Sequence, residues 1–281
     1  MLEPTALRRT VTKTRVLAVR NQDGFERPDR LATEEPMEIR GEGPGQEPVT
    51  IAVTMRTPGH DFELAVGFLC TEGLIGFRHD VVSVVYCDLP AGEQQFNVVT
   101  VRLAQAFDPE SVKRNFYTTS SCGVCGKASL EQVRSNCRPV GPGPSVAASV
   151  IAGLPGALRE TQQIFEQTGG LHASGLFDSN GQLLSVREDV GRHNAVDKLV
   201  GQALLGGALP LSERVLMVSG RISFEIVQKA AMAGVPMICA VSAPSSLAVE
   251  SARELGMTVV GFVRGSNFNV YTGPERVQMG R

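Results

Sequence analysis

The sequence has no excess of either charge. Its 27 Lys and Arg residues nearly balance 29 Asp and Glu residues, so the formal net charge is -2 at pH 7. Such a chain has no global basic field that would attract nucleic acid or an anionic membrane surface. We therefore expect no nucleic-acid partner, and an anionic ligand would have to be bound by a local group of donors.

The sequence also lacks a long hydrophobic run. A membrane-spanning helix needs roughly 20 consecutive apolar residues, and no stretch approaches that length. The pair Arg8-Arg9 is not followed by the apolar segment of a secretory signal. We therefore expect a soluble, cytoplasmic protein without a membrane partner.

Cysteine is sparse for the length of the chain. Six cysteines in 281 residues do not suggest the dense disulfide framework of small secreted domains, so reduced thiols are expected. Cys70, Cys87 and Cys239 lie in runs with helix or strand patterns, and we interpret them as small core residues. Cys122 and Cys125 differ, because each is followed by a glycine in the stretch SSCGVCGK, and we expect these two thiols to be exposed.

Two common nucleotide motifs are missing. The chain has no G-x-x-x-x-G-K-[ST] loop and no G-x-G-x-x-G that opens a dinucleotide-binding unit. ATP hydrolysis and dinucleotide-dependent hydride transfer are therefore not indicated. The hydrophobic fraction of 42% is that of an ordinary globular protein with a core.

The first half of the chain is predicted to be rich in strands. One helix is expected after residues 57–59, through the stretch DFELAVGFLCTEGLI, with an apolar stripe that covers a sheet. The stretch RPVGPGP at 138–144 is too rich in proline and glycine to continue any element, so we place a boundary between domains 1–137 and 138–281. The predicted strands are 15–19, 36–40, 49–55, 81–87 and 95–103.

The second half shows a different pattern. After a helix near 147–167, two strand-like runs flank Asn180-Gly181, which is a strong hairpin signal. From Gly191 onward helices and strands alternate, as in right-handed βαβ units, and the late strands are continuous apolar runs that helices would cover on both faces. The sequence thus predicts a three-layer α/β domain, with the hairpin at the edge of its sheet, after a smaller strand-rich α+β domain.

Polar and basic residues follow three of the late strands. These residues are Ser219-Gly220-Arg221, the run 242–246 and the run 264–267. Ligands of open α/β sheets bind outside the carboxyl ends of the strands, where helix N-termini and guanidinium groups suit a phosphate. We therefore expect a nucleotide-like ligand at this edge. The alternative is that the serines are ordinary helix caps.

A dense polar cluster at 188–198 opens one of the predicted helices. Helical spacing places His193 and Asp197 four residues apart on one face. This pair could bind a base, or the two side chains could orient each other.

Three chemistries use the spacing of Cys122 and Cys125: half of a zinc site, a redox dithiol, or a reactive thiolate. No second ligand pair stands at short range, and the flanking glycines are atypical of a dithiol at a helix N-terminus. The positive charges of Lys127 and Arg114 would favour a thiolate. A nucleophile that transfers a group is therefore favoured.

A deaminase relative is a weaker alternative. The stretch from Leu171 to Ser174, LHAS, is similar to the H-x-E motif of zinc-dependent nucleobase deaminases, but Ser174 stands where the catalytic Glu is required. The cysteine pair also precedes His172 instead of following it. We therefore expect no zinc.

Several longer stretches together resemble one known family. They are SSCGVCGKASL, IAVTMRTPGHDFELAVGFLCTEGLI, LHASGLFDSNGQLLSVREDVGRHNAVDKLVG, VSGRISFEIVQKAAMAGVPMICAVSAPSSLAVE and VVGFVRGSNFNVYTGPER. They are similar to the signatures of the formate dehydrogenase accessory sulfurtransferase family, FdhD. The resemblance extends from about residue 32 to residue 276.

This resemblance implies a function and partners. The protein would be a sulfurtransferase that takes sulfur from a cysteine desulfurase as a persulfide on Cys122, while Cys125 assists or is dispensable. It would pass the sulfur to the bis-molybdopterin guanine dinucleotide molybdenum cofactor of formate dehydrogenase. The alternative is a non-catalytic chaperone that binds and inserts this cofactor.

The resemblance also implies a fold and a binding site. The second domain would be similar to the cytidine deaminase fold, and a homodimer would match the two nucleotide arms of the cofactor. The cofactor, bound as a substrate, would contact the six residues Phe262, Val263, Arg264, Gly265, Ser266 and Asn267.

Overall fold

The computed structural model of the chain describes residues 9–87, 96–108 and 137–280. Cys122, which is predicted to carry the persulfide, and its neighbour Cys125 lie outside these ranges. Of the helices within the described ranges, none is long and apolar enough to cross a membrane.

The N-terminal residues form a two-stranded antiparallel ribbon. Strand β1 (Val11–Arg20) contains the predicted strand, and it pairs with β2 (Asp23–Ala32) through a turn in which Asn21 and Gln22 both have positive φ. Two such residues are typical of the tight hairpin turns that match the twist of paired strands. The sequence did not predict β2, because its stretch DGFERPDRLA is polar, contains Pro28 and is mostly exposed.

The other four predicted strands of the first half form a separate sheet, which confirms them. Its order is β4-β3-β6-β5, with β3 and β6 parallel and the other pairs antiparallel. Helix α1 (Asp61–Thr71) packs against it. The strands are β3 (Glu35–Glu42), β4 (Val49–Arg56), β5 (Val81–Tyr86) and β6 (Val98–Leu103).

A six-stranded sheet forms the centre of the second half. Its order is β13-β12-β11-β10-β8-β9, with β10, β11 and β12 parallel, and the hairpin β8–β9 lies at one edge as predicted. A short parallel pair, β7 (Val146–Ala147) and β14 (Val277–Gln278), lies apart from it. The six strands are β8 (His172–Phe177), β9 (Leu183–Asp189), β10 (Val215–Val218), β11 (Met237–Ala240), β12 (Thr258–Arg264) and β13 (Asn267–Thr272).

Helices cover both faces of this sheet, so the predicted three-layer arrangement is confirmed. Alternate residues of β10 show it: Val215 and Met217 belong to the hydrophobic cluster of α2, whereas Leu216 and Val218 belong to the cluster of α4 and α5. The predicted single helix near 147–167 is broken at Thr161 into α2 and α3. The helices are α2 (Ala148–Glu160), α3 (Gln163–Thr168), α4 (Arg192–Leu205), α5 (Phe224–Met232) and α6 (Ser246–Glu254).

Helix α1 is buried on nearly all sides, which is more than its predicted apolar stripe required. One side faces the N-terminal sheet, and the other crosses α4 with backbone in contact with backbone. A Cβ on Gly67 would lie 1.8 Å from the carbonyl oxygen of Asp197, and one on Gly201 would lie 1.8 Å from that of Glu63. The two glycines therefore allow the close approach of the helices.

The two halves of the chain share one hydrophobic core. A single cluster contains Ile39 and Leu69 from the first half and Leu199 and Ile238 from the second. The domain boundary after residue 137 stays a prediction, as does the likeness to the cytidine deaminase fold. The arrangement nevertheless attaches the N-terminal sheet firmly to the α/β sheet.

Candidate ligand site at the strand ends

The residues that follow the parallel strands lie along one edge of the six-stranded sheet. We call this edge the strand-end ledge and define it by 219–223 after β10, 242–245 after β11 and 262–267 at the end of β12 and its turn. His172 lies at the same edge, because β8 runs antiparallel to β10 with Ser174 opposite Val218. The structure thus brings together the three polar runs that the sequence predicted to meet.

Backbone hydrogen bonds join the segments of the ledge side by side. They connect the loop after β10 both to β8 and to the loop after β11, and they connect the latter loop to β12. The bonds are Ser219 N to Ala173 O (2.9 Å), Ile222 N to Ala243 O (3.2 Å), Ser245 N to Ile222 O (2.9 Å) and Phe262 N to Ser242 O (3.2 Å). The ledge is therefore one continuous surface.

Two of the serines on the ledge have structural roles, and one of them, Ser245, is a helix cap as the alternative interpretation expected. Ser245 caps α6, since its hydroxyl accepts a hydrogen bond from Ala248 N at 3.2 Å. The hydroxyl of Ser219 accepts one from Ala173 N at 2.8 Å. Ser223 is different: it precedes α5 in the cap position, but its hydroxyl does not cap the helix.

The terminal loop has an irregular backbone that exposes its side chains. Phe262 has φ of 54°, an unfavourable left-handed conformation for a residue with a Cβ, and the pairing of β12 with β13 shifts register between Gly261 and Arg264. A bulge of this kind re-aims side chains. Phe262 and Arg264 are both exposed, with the guanidinium carbon of Arg264 5.6 Å from the centre of the Phe262 ring.

The other predicted cofactor-binding residues differ in exposure. Gly265, Ser266 and Asn267 are exposed, whereas Val263 is buried in the cluster beneath α2. A ligand on the ledge could contact only the backbone of Val263. The sequence did not predict β13 directly after this loop, because we interpreted 264–267 as a strand end and not as the turn of a hairpin.

His193 and Asp197 have separate partners, so the alternative in which the two side chains orient each other is wrong. His193 Nε2 lies 2.7 Å from Glu225 Oε2 and 3.1 Å from Ser223 Oγ, which places it on the ledge. Asp197 is buried and faces α1 and α5 instead, 3.0 Å from Lys229 Nζ. Helical spacing predicts a shared face, but the packing of α4 between α1 and α5 separates the partners of the two side chains.

A group of basic side chains lies beside the loop after β10. A Cβ on Gly220 would lie 3.3 Å from His172 Nδ1 and 3.7 Å from Arg192 Cδ, so both side chains converge on this glycine. Burial lowers the pKa of His172, and the nearby charges of Arg192 and His193 lower it further. The sequence did not predict that His172 or Arg192 belongs to a ligand site. His172 was interpreted only as part of a deaminase-like motif, and the one indication for Arg192 was its place in the polar cluster at 188–198.

Several thiols outside the Cys122 region are poor nucleophiles. Burial raises the pKa of Cys70 and of Cys239 to about 12 and that of Cys137 to about 11. Cys70 and Cys239 are core residues, as predicted, whereas Cys87 is only half-buried. The predicted exposure of Cys122 and Cys125 falls on the part of the chain that the structure does not describe.

The part of the chain that the structure describes contains no candidate metal site. Within 9–87, 96–108 and 137–280, no group of three or more His, Cys, Asp or Glu side chains is arranged to hold a metal ion. His172 begins a strand in this fold. The absence of zinc stays a prediction.

The structure is that of a mixed α/β protein with a polar ledge at the ends of its parallel strands. The sequence model of the FdhD/NarQ family matches residues 32–278. The chain therefore belongs to the FdhD/NarQ family, as the resemblance predicted.

Relatives and a solved structure agree with this assignment. The chain is 51% identical to the sulfur carrier protein FdhD of Streptomyces coelicolor (96% of this chain, 97% of that one) and 53% identical to that of Mycolicibacterium paratuberculosis (95% and 98%). It is also similar to the crystal structure of a candidate formate dehydrogenase accessory protein from Desulfotalea psychrophila. The TM-score is 0.74 at 25% identity, over 96% of this chain and 100% of that one.

Proposed function

We propose that the protein is a sulfur carrier that receives sulfur as a persulfide on Cys122 and passes it to the bis-molybdopterin guanine dinucleotide molybdenum cofactor required by formate dehydrogenase. A cysteine desulfurase would be the donor. The observation that carries the proposal is the C-x-x-C stretch SSCGVCGK in a chain whose relatives are named sulfur carrier proteins.

The choice of Cys122 is supported by the chemistry of the other thiols. Sulfur transfer needs a thiolate that a partner can reach, and burial disfavours the thiolate of Cys70, Cys137 and Cys239. Cys122 lies close in sequence to Lys127, whose charge favours the thiolate. The resemblance assigns the persulfide to Cys122 and a secondary role to Cys125.

The ledge fits the cofactor in its role as a substrate. Arg264 is exposed and its Nε donates to Val241 O at 3.2 Å, which holds the guanidinium in place. A guanidinium beside an aromatic ring can pair with a phosphate and also stack on a flat base. Arg264 and Phe262 thus suit a guanine nucleotide bearing a pyrophosphate.

After the cysteine stretch the chain re-enters the described structure at Cys137, which borders a small pocket together with Phe224 and Leu255. Phe224 is the first residue of α5 and directly follows Ser223 of the ledge. Cys137 thus borders the same pocket as the first residue of the helix that begins on the ledge.

Sulfur loading is the direct test of the proposal. After incubation with a cysteine desulfurase and cysteine, the intact mass of the wild-type protein should rise by one sulfur atom, and reduction should reverse the gain. Cys122→Ala should abolish the gain, whereas Cys87→Ala, which removes a half-buried thiol, should retain it. Cys125→Ala shows whether the second thiol assists. Sulfur gain by Cys122→Ala would contradict the assignment.

A second candidate function is a cofactor-binding chaperone without sulfur transfer, which the strand-end ledge favours. Under this alternative Cys122→Ala would still support formate dehydrogenase maturation. Under the sulfur-carrier proposal the variant would be inactive although it still binds the cofactor.

We also propose a homodimer, since the cofactor has two nucleotide arms; light scattering of the purified protein tests this.

Arg264→Ala should separate binding from sulfur loading. Loss of a charge-assisted hydrogen bond costs about 1.5–3 kcal/mol, so we expect cofactor affinity to fall roughly 10- to 150-fold. Sulfur gain at Cys122 should not change. The measurement is a titration of wild-type and variant protein with the cofactor, followed by intact-mass analysis of both. Unchanged affinity would remove Arg264 from the binding site.

A further inference from the structure

In the basic group beside Gly220, Arg192 forms no ion pair with any residue that the structure describes. The Nε atom of Arg192 is buried without a hydrogen-bond partner, and among the described residues no carboxylate lies within ion-pair distance of its guanidinium. A buried N–H of a charged group is costly to leave unpaired. Its position therefore indicates a place for an acceptor that no described residue supplies.

The acidic side chains nearest to this group are already paired. Glu225 is hydrogen-bonded to His193, which lowers the pKa of Glu225, and Asp189 is 2.7 Å from Lys198 Nζ. Asp189 also accepts bonds from the backbone of Gly191 and from Asn194. Neither carboxylate forms an ion pair with Arg192, although the charge of Arg192 also helps to lower the pKa of Glu225.

The shape of the site and the helix next to it also suit an anion. Gly220 leaves a notch between His172 and Arg192 that a side chain would fill. The turn then leads into the N-terminus of α5, where the hydroxyl of Ser223 bonds to His193 and leaves the amides of the first turn without a side-chain cap. Such amides and the helix dipole favour a negative charge.

We propose that His172, Arg192 and the turn 220–223 form a phosphate subsite on the strand-end ledge. Arg192 is the main charged donor, the glycine notch admits the phosphate oxygens, and the start of α5 supplies backbone N–H groups. The subsite is formed by residues other than the six of the terminal loop. Its assignment to the substrate rests on the proposed function, since a dinucleotide cofactor carries the phosphate groups that it would bind.

Calorimetric titration of the full-length protein with inorganic pyrophosphate at low salt tests the subsite. Arg192→Gln keeps the side-chain size but removes the charge, and should weaken binding about tenfold or more. Gly220→Ala, which fills the notch, should also weaken it. Arg192→Lys should retain part of the affinity, because the charge remains. Arg27→Gln, which removes the same charge from the exposed N-terminal ribbon, should have no effect.

The thermal unfolding of each variant is compared with that of the wild type, so that a loss of binding can be distinguished from a loss of folding. If Arg192→Gln does not fold, Gly220→Ala and Arg192→Lys decide the question. Wild-type affinity in Arg192→Gln or in Gly220→Ala would overturn the subsite, as would absence of pyrophosphate binding by the wild type up to millimolar concentrations. Sulfur gain at Cys122 is measured separately, so the subsite and the sulfur-carrier proposal can fail independently.

Discussion

Gly201→Ala is expected to destabilise the protein by about 3 kcal/mol, at the upper end of the cost of overpacking. The added methyl would lie 1.8 Å from the carbonyl oxygen of Glu63, which is backbone and cannot rotate away as a side chain could. Helices α1 and α4 would have to separate, and the hydrophobic cluster shared by the two halves would open. The gain of roughly 1 kcal/mol in helix propensity offsets only part of this cost.

Chemical denaturation of the wild type and Gly201→Ala measures the effect, and a fall in melting temperature on the order of 5–10 °C should accompany it. Gly153→Ala is the matched control, because Gly153 is an exposed position of α2 with open space around it. That variant should be slightly more stable, by about 0.5–1 kcal/mol. Equal stability of Gly201→Ala and wild type would show that the helix crossing is not the close contact described above.

Lys198→Met is expected to cost about 3–5 kcal/mol, which is typical when one partner of a buried ion pair is removed. Lys198 is 1% exposed, and its Nζ lies 2.7 Å from Asp189 Oδ2 and 2.9 Å from Thr57 O. Removal of the ammonium leaves a carboxylate in the interior without its cation. The carbonyl of Thr57, which belongs to the first half of the chain, loses a donor as well.

A double-mutant cycle with Asp189→Asn separates the ion pair from the packing of the lysine stem. The double variant should be less destabilised than the sum of the two single variants, because the second change removes the charge that the first left unpaired. Arg102→Met, which breaks an exposed pair with Glu42, should cost less than about 1 kcal/mol. Strict additivity in the cycle would argue against a direct interaction between Lys198 and Asp189.

These two contacts bear on function through helix α4. The same helix crosses α1 at Gly201, pairs with Asp189 through Lys198, and begins on the ledge with Arg192 and His193. Its position therefore fixes the N-terminal sheet relative to the strand-end ledge. A change at the helix crossing should disturb ligand binding at the ledge as well as stability.

Local pattern was sufficient to predict most of the secondary structure. Hydrophobic runs marked the buried strands such as β10 and β11, and Asn180-Gly181 marked the hairpin β8–β9. Strand β2 was missed because a polar strand on an exposed ribbon has no hydrophobic pattern. Strand β13 was missed because Gly265-Ser266 was interpreted as the end of a strand, although it is equally suited to a turn between two.

The amino-acid sequence alone was enough to identify the family, the α/β order of the second half and the polar residues at the strand ends. These features depend on residue type and on short-range spacing, which the chain carries directly. The three-dimensional packing was needed to show that Asp197 turns away from His193, that two glycines bring α1 and α4 into contact, and that Arg192 meets His172 at Gly220. Each of these depends on the packing of segments far apart in the chain, and helical or strand periodicity within one segment does not specify which neighbour its side chains meet.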